Sequence, residues 1–592
     1  MTARLVGTEP IPIIFRMHHA LETITRRSIV ATLLGVAAYH LALTASTVLT
    51  FSLRYPFMDQ FRLNLRYLTI PFPQSVLLLE NGHRPVLPGL VRFVELNWLE
   101  GTQRLQALTS WLAAGVVAGL LLLLIKRELR GNSVLAASGI CSVCTMLVWN
   151  AHARMFIHAY EAMHVFYVTF FVVVAVYVGV RAPEGAAWKW WIGSIAACIA
   201  ATFSFGMGIA SFAALMTVAI VRERGPLTLL FIALSAFATF LIYYAVLPGA
   251  DAVQLAVTGF SLSACVFFTI ARVGAVFAEL VRLLVPGLAV QGAVSALAGA
   301  LGLALISVSM IGRRRHHMPF VDIEVFGVGL FAFGLMANIL IATSRSTYFF
   351  EHTEQLFADR YLFWSSVTWL GLLLYWLRQL IYATRVKQYS AAVVVLLLSL
   401  TAVPPAIWDN EWSANVYRMS TTAAIAMKLG IRNDAQVAEI SDSDSATTYR
   451  VAEEMRKRNL GMFADPSNLR VGDRLLTGQP AQFAVPVNVS RFDINWPAGT
   501  SAQMVTGELP QSVASQVQNA ELWFAESDGT LIGRAAFTNT GGESRNPLRL
   551  GIPTLTGFQG YVLQSNAPAI LLARESSGVV KQLSRLESRQ TN

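Results

Sequence analysis

Residues 104–130 read RLQALTSWLAAGVVAGLLLLLIKRELR. From Leu105 to Ile125 no side chain is charged, and Leu, Val and Ala dominate. The chain then turns abruptly to Lys126-Arg127-Glu128-Leu129-Arg130. A helix rises about 1.5 Å per residue and a bilayer's hydrocarbon core is about 30 Å thick, so this stretch has the length of a membrane span. Working outward, the same pattern of apolar run and polar break recurs at 28–52, 132–150, 162–181, 188–204, 206–222, 227–247, 288–312, 323–343, 362–383 and 389–406.

Composition agrees. Charged residues make up 14% of the chain, against about 25% in soluble globular proteins. The hydrophobic fraction is 55% and the mean hydropathy +0.52. Such a chain cannot hide its apolar surface in one aqueous core. The expected fold is an α-helical polytopic membrane protein of about eleven spans. The first apolar stretch follows Arg26-Arg27 and is longer than the roughly 7–15 residues of a signal-peptide core, so it is expected to stay as an anchor.

The loops fall into two chemical kinds. Lys126 to Arg130, Arg222-Glu223-Arg224 and Arg313-Arg314-Arg315-His316-His317 are short and basic. The others are mixed and hold Asp59, Glu80-Asn81-Gly82-His83-Arg84, His152 to His164, and Arg345 to Arg360. The two kinds alternate, so the mixed loops should share one side. Basic loops favour the cytoplasm, which places the mixed set on the outer face. The net charge of +10 thus reports topology, and nucleic acid is not an expected partner. The stretch 254–285 could span, but it carries Arg272, Glu279 and Arg282. Counting it would send Arg313 to Arg315 outside. It is therefore read as an interfacial or re-entrant hairpin, with the N-terminus inside and the C-terminal region outside. Gly206-Met207-Gly208 marks a break between two short spans.

After Pro404-Pro405 the composition changes. Residues 1–406 form the membrane domain, 407–469 a mixed region with helical patches, and 470–592 a strand-rich region. Alternating runs at Ala520–Ala525, Thr530–Ala536, Gly560–Leu563 and Ala569–Ala573 are broken by turn residues, with a hairpin signal at Asp528-Gly529. A C-terminal β-sandwich is expected. All four cysteines lie in apolar segments, and Cys141-x-x-Cys144 has no βαβ context, so packing is the simpler role.

Asp59 sits among Tyr55, Pro56, Phe57, Met58 and Phe61, where a carboxylate must be paired or used. It could accept a proton from a hydroxyl, or it could cap a helix or pair with Arg62 or Arg66. Glu80 and Arg84 are four apart, but Gly82 and Pro85 favour a turn. His83 and Arg84 could hold a phosphate or a sugar hydroxyl, or Glu80 and Arg84 could be a structural pair. Arg154, His158 and Glu161 fall at i, i+4, i+7 on one helical face, suiting the polar wall of a cavity or an interfacial network. His152, His158 and His164 are six apart and turn to different faces, which argues against a metal site. Arg345 and Arg360, with Tyr361, bracket a loop suited to an anionic headgroup, or the arginines extend to lipid. No phosphate-binding glycine loop, HExxH or GxSxG motif appears in a fitting context.

In Asp59-Gln60-Phe61, Glu80 to Arg84, Ser204 to Gly208, Arg360-Tyr361 and the run from Ala520 to Phe558, the chain resembles the GT-C superfamily of integral-membrane glycosyltransferases, and within it a bacterial group using polyprenyl-phosphate sugars. The resemblance implies an inner-membrane enzyme. It would move a sugar from a polyprenyl-phosphate-linked donor to an outer glycan or glycolipid acceptor, in contact with membrane lipid and without metal or other cofactor. It implies Asp59 as base, with Glu80 as second acid. Arg345 and Arg360 would clamp phosphate, and His83, Arg84, Arg154, His158, Glu161 and Tyr361 would contact substrate. A transporter or flippase for a lipid-linked glycan is the alternative. It is disfavoured by the scarcity of charge at mid-span.

Overall fold

The computed structural model describes residues 11–184, 188–247, 261–285, 287–464, 469–475, 484–492, 502–518, 520–538, 555–563 and 570–589. Among these, eight helices are long and apolar enough to cross a membrane: Ala20–Phe51, Arg104–Glu128, Ser133–Ile157, Ala159–Arg181, Pro226–Val246, Leu288–Arg315, Asp322–Ser344 and Arg385–Lys428. Each coincides with an expected span. The count of about eleven is corrected to eight by this measure. The expected spans at 188–204 and 206–222 are helices of only 15 and 12 residues, Trp188–Thr202 and Ala210–Val221. The third, Asp359–Gln379, has 21 residues but is diluted by Trp, Tyr and Ser.

The stretch 254–285 resolves into Leu262–Val273 and Ala275–Val281, bent by 56°. It is thus a broken span, which would make nine, or a re-entrant loop. Residues 254–260 lie outside the described residues. The break at Gly206–Ile209 is a short 3-10 turn. A side chain at Gly208 would lie 2.0 Å from the Ala201 carbonyl, so only glycine permits that approach.

Burial sorts the bundle. Asp322–Ser344 is central, and its Gly327 faces Gly371, where an added Cβ would sit 2.4 Å from the Phe331 nitrogen. Small residues let these two helices close, as is common inside membranes. Peripheral helices leave Leu108, Leu112, Leu297 and Val308 exposed, as lipid-facing surfaces do.

The basic loops converge at one end. Asp322 receives Arg127 at 3.6 Å, Arg181 at 3.8 Å and Arg222, and Glu324 pairs with Arg313 at 2.6 Å. The mixed loops gather near the opposite helix termini. There a second apolar core joins the first loop (Phe57, Phe61, Tyr67) to helices beyond residue 406 (Val437, Ile440, Met455) and to the sheet (Phe524, Phe558, Leu583). One helix, Val403–Lys428, runs straight through the expected boundary at 406, because Pro404 and Pro405 occupy its first turn, where proline is tolerated.

The C-terminal strands are β1 (Ala484–Phe492), β2 (Ala502–Glu508), β3 (Glu521–Ala525), β4 (Leu531–Thr538), β5 (Gly557–Leu563), β6 (Ile570–Arg574) and β7 (Val580–Arg589). They form one sheet in the order β1-β2-β5-β4-β3-β6-β7. Its pairs are antiparallel, except that β1 also runs parallel to β7 and returns the ladder to its first strand. The expected β-sandwich is thereby corrected. A sandwich needs two separately paired sheets, whereas β6 and β7 here bond β3 through to β1. Alternation is as read. Leu522 and Phe524 face the large core, while Trp523 and Ala525 face a smaller cluster with Leu469 and Leu475. The Asp528-Gly529 turn links β3 to β4, with Asp528 accepting from the Thr530 nitrogen at 2.9 Å.

Candidate functional site

The first loop folds as short helices, Gln60–Thr69, Gln74–Leu77 and Val86–Trp98. Asp59 stands at the head of the first, and its carboxylate makes no capping bond. Arg62 instead donates to Oδ1 at 3.0 Å and Asn81 to Oδ2 at 2.9 Å. Arg62 also donates to Asn81 at 2.9 Å, closing a triangle. Arg66 takes no part, because it is spent on the carbonyls of Ser75, Leu78 and Leu79. The Asp59 side chain keeps 27% of its exposure, so it can meet a ligand.

Glu80 and His83 close a tight turn by exchanging backbone bonds of 2.6 and 2.8 Å, with Asn81 and Gly82 at positive φ. Glu80 therefore does not face Arg84. It is buried and pairs with Arg92 at 3.3 Å, accepts from the Tyr160 hydroxyl and lies 4.0 Å from His164. Arg92 is itself sandwiched by the Tyr67 and Tyr160 rings. Arg84 is also fully buried, donating to the carbonyls of Tyr243, Leu77 and Leu247 at 2.5, 2.5 and 3.0 Å. The structure thus gives Arg84 the work of a brace between the first loop and the helix end near residue 247.

His83 is half-buried, with its ring 4.2 Å from Phe205 and its Nδ1 sealed without a partner among the described residues. Burial first, then the Arg345 charge, lowers its pKa to about 4, so it is neutral. The His164 ring also stacks on Phe205, at 4.8 Å.

Arg154, His158 and Glu161 do converge, though not along one helix. The chain breaks at His158 (φ −102°, ψ 97°), between Ala153–Ile157 and Ala159–Arg181. Across the break Arg154 grips Glu161 at 2.6 Å and reaches Asp359 at 4.0 Å. His158 Nδ1 is 3.7 Å from Glu161, beyond ordinary hydrogen-bond length, and neither ring nitrogen has a closer partner among the described residues. The fields of Asp59 and Asp359 both reach Arg154, which ties this cluster to the Asp59 triangle.

Arg345 is exposed. Arg360 donates to Gln355 at 3.0 Å and lies over Tyr361, while its Nε has no partner among the described residues. Tyr361 is also covered by Arg272, whose guanidinium bonds the Leu356 and Tyr361 carbonyls.

Sequence reasoning missed Arg92, whose amphipathic helix hid it. It also missed Asp442, whose carboxyl reaches that of Asp59. Asp442 lies in Ser441-Asp442-Ser443-Asp444-Ser445, which carries only a helix-cap signal. Among the described residues no group of three or more His, Cys, Asp or Glu could hold a metal ion. No protein-family model matches the chain, and no curated protein matches its sequence.

Proposed function

We propose that this membrane protein is a glycosyltransferase, moving a sugar from a polyprenyl-phosphate donor to an outer glycan or glycolipid acceptor. Its basic loops would face the cytoplasm, and the site and C-terminal sheet the outer side. The observation that carries the reading is Asp59, a partly exposed carboxylate oriented by Arg62 and Asn81 beside an Arg154–Glu161 pair at the membrane-loop boundary. A lipid-phosphate sugar carries its own leaving group. The protein must take a proton from the acceptor hydroxyl, align it, and stabilise the departing phosphate. In this proposal Asp59 takes the proton, and Arg360 and exposed Arg345 meet the phosphate. Tyr361 shapes the approach, neutral His83 offers an uncharged ring to sugar hydroxyls, and Arg154 and Glu161 form the wall behind Asp59, with His158 buried against Glu161 inside that wall. Glu80, buried against Arg92 and Tyr160, supports this surface from beneath and does not touch the acceptor. Arg84 holds the loop.

The test is transfer from a purified polyprenyl-phosphate sugar to envelope-glycan acceptors in liposomes, beside mass spectrometry of envelope glycans after gene deletion. Glycans lacking one sugar support the proposal. Accumulation of a whole lipid-linked precursor favours a flippase and rejects it.

A further inference from the structure

We infer that Asp442, presented by the turn between the helices Asp434–Ile440 and Ser445–Lys457, shares a proton with Asp59 and is a positioning residue that sets when Asp59 can accept another. The link to catalysis rests on the proposed role of Asp59 as base; the pairing itself does not.

The turn is built for this placement. The Met58 nitrogen donates to the Ile440 carbonyl at 2.7 Å, fastening the turn beside Asp59. Val437 and Ile440 are buried in the core that also holds Phe57 and Phe61. Ser441 and Thr448 join hydroxyls at 2.9 Å, and Asp444 caps the next helix by accepting from the Thr447 nitrogen at 2.8 Å. Asp442, itself exposed, is then left beside Asp59, with its carboxyl in hydrogen-bonding reach.

Ionised carboxylates only accept hydrogen bonds, so two in contact must hold a proton between them or repel. The charged and titratable groups facing the pair are Arg62 on the same helix as Asp59, Arg154 beyond it, and Tyr160. Asn81 adds an uncharged donor. Arg62 is the one cation of these in direct contact with Asp59, which leaves the second carboxylate under-compensated. Burial first, then Asp59, pushes the Asp442 carboxyl up to about 6. Burial opposes ionisation of Asp59 too, but the bond from Asp442, then Arg62 and Asn81, holds it below the usual carboxylate value. Both values belong to the pair.

The sign follows. Between the ordinary 3.8 and about 6 the docked turn holds more protons than an undocked one. Docking is therefore tightest at about pH 4, weakens progressively as pH rises from there to about 6, and changes no further above it. Loss of the shared proton also leaves Asp59 a stronger base, so transfer should rise across the same interval.

The decisive measurement is carbodiimide labelling of the full chain in nanodiscs against pH, read by peptide mass spectrometry, because the protonated carboxyl reacts. In the native protein Asp442 should label up to about pH 6, with exposed Asp444 as the control. In Asp59→Asn, or Asp59→Ala if that variant accumulates better, the Asp442 midpoint should fall toward about 4. An unchanged midpoint overturns the pairing. The second readout is the pH profile of transfer. Asp442→Asn should erase the rise near pH 6 and lower the rate at pH 7.5 by about tenfold, a modest fraction of a full general-base effect. A profile that keeps its rise overturns the positioning role. If the native protein transfers no sugar, the proposed function falls, while labelling still decides the pairing.

Discussion

The two ends of the helical bundle use the same side chains in different arrangements. At the basic end Asp322 alone meets Arg127, Arg181 and Arg222, so cations outnumber acids and remain partly in water. At the other end several carboxylates are drawn close to one another. Asp59, Asp442, Glu161 and Asp359 face Arg62 and Arg154, while Glu80 and Arg92 are sealed together. Partly exposed pairs contribute about 0–1 kcal/mol each. Buried ones must overcome desolvation of several kcal/mol per ion, and replacing them with apolar residues often does no harm. Charge at the basic end is therefore cheap to keep. The sealed Glu80–Arg92 pair at the other end is expensive to keep, and that is the reason to look for chemistry beside it.

The comparison breaks outright if the two ends do not lie on opposite sides of the membrane. A periplasm-active reporter should be silent when fused at Arg314 and active when fused after Asn592. Activity at both positions would put the basic cluster and the sheet on one side.

Asp59 gives the next largest effect. Asp59→Asn should reduce transfer by about 10²–10⁴-fold, the usual contribution of a general base, while the protein stays in the membrane. Asp322→Asn should leave transfer within about twofold, since it touches only pairs of the weaker kind. Equal losses from both would erase the functional distinction between the ends.

How much of this was readable from the chain alone follows from the range of each signal. All eight long apolar helices were legible, because length and apolarity are local. So was the hairpin at Asp528-Gly529. The sheet's closure through β6 and β7 was not, since pairing between residues about a hundred apart, as in Ala484 with Arg585, leaves no periodic trace. In the site, Asp59 and the Arg154–Glu161 pair were legible because charge amid apolar residues stands out. The turn at Glu80 was legible from Gly82 and Pro85, and positive φ at Asn81 and Gly82 forms it. The partner of Glu80 was not, because the turn sets it against Arg92 rather than the Arg84 that the sequence offered as one alternative. Asp442 required tertiary contact to be noticed at all.

The buried Glu80–Arg92 pair sharpens the comparison through stability. Arg92→Met leaves Glu80 buried and uncompensated, which should cost about 3–5 kcal/mol. The loss should appear as a lowered thermal midpoint in detergent. The double variant Arg92→Met with Glu80→Leu should recover most of it, because removing both charges removes the penalty. No recovery would mean that Glu80 has a duty beyond pairing with Arg92, and would return it to the list of groups that meet substrate.

The smallest effects concern Arg345 and His83, where one residue acts on another through its field. His83 is held neutral, at about 4, by burial and then by Arg345. Its ordinary value is 6.5, so the unfolded chain binds a proton before the folded one does. Stability should thus be lost as pH falls from about 6.5 toward 4. Arg345→Gln removes the cation and should narrow that window, and Arg345→Lys keeps it and should not. The thermal midpoint at pH 7 against pH 5 reads the difference. Donor affinity answers a separate question in the same variants. A phosphate held by a guanidinium fork is poorly served by a lysine's point charge. Arg345→Lys and Arg360→Lys should then weaken donor binding by about tenfold, in line with the roughly 1.5–3 kcal/mol of a charged hydrogen bond. If Lys preserves both the pH behaviour and the affinity, Arg345 serves only as a positive charge near His83. The end that holds Asp59 would then resemble the basic end more than its buried network suggests.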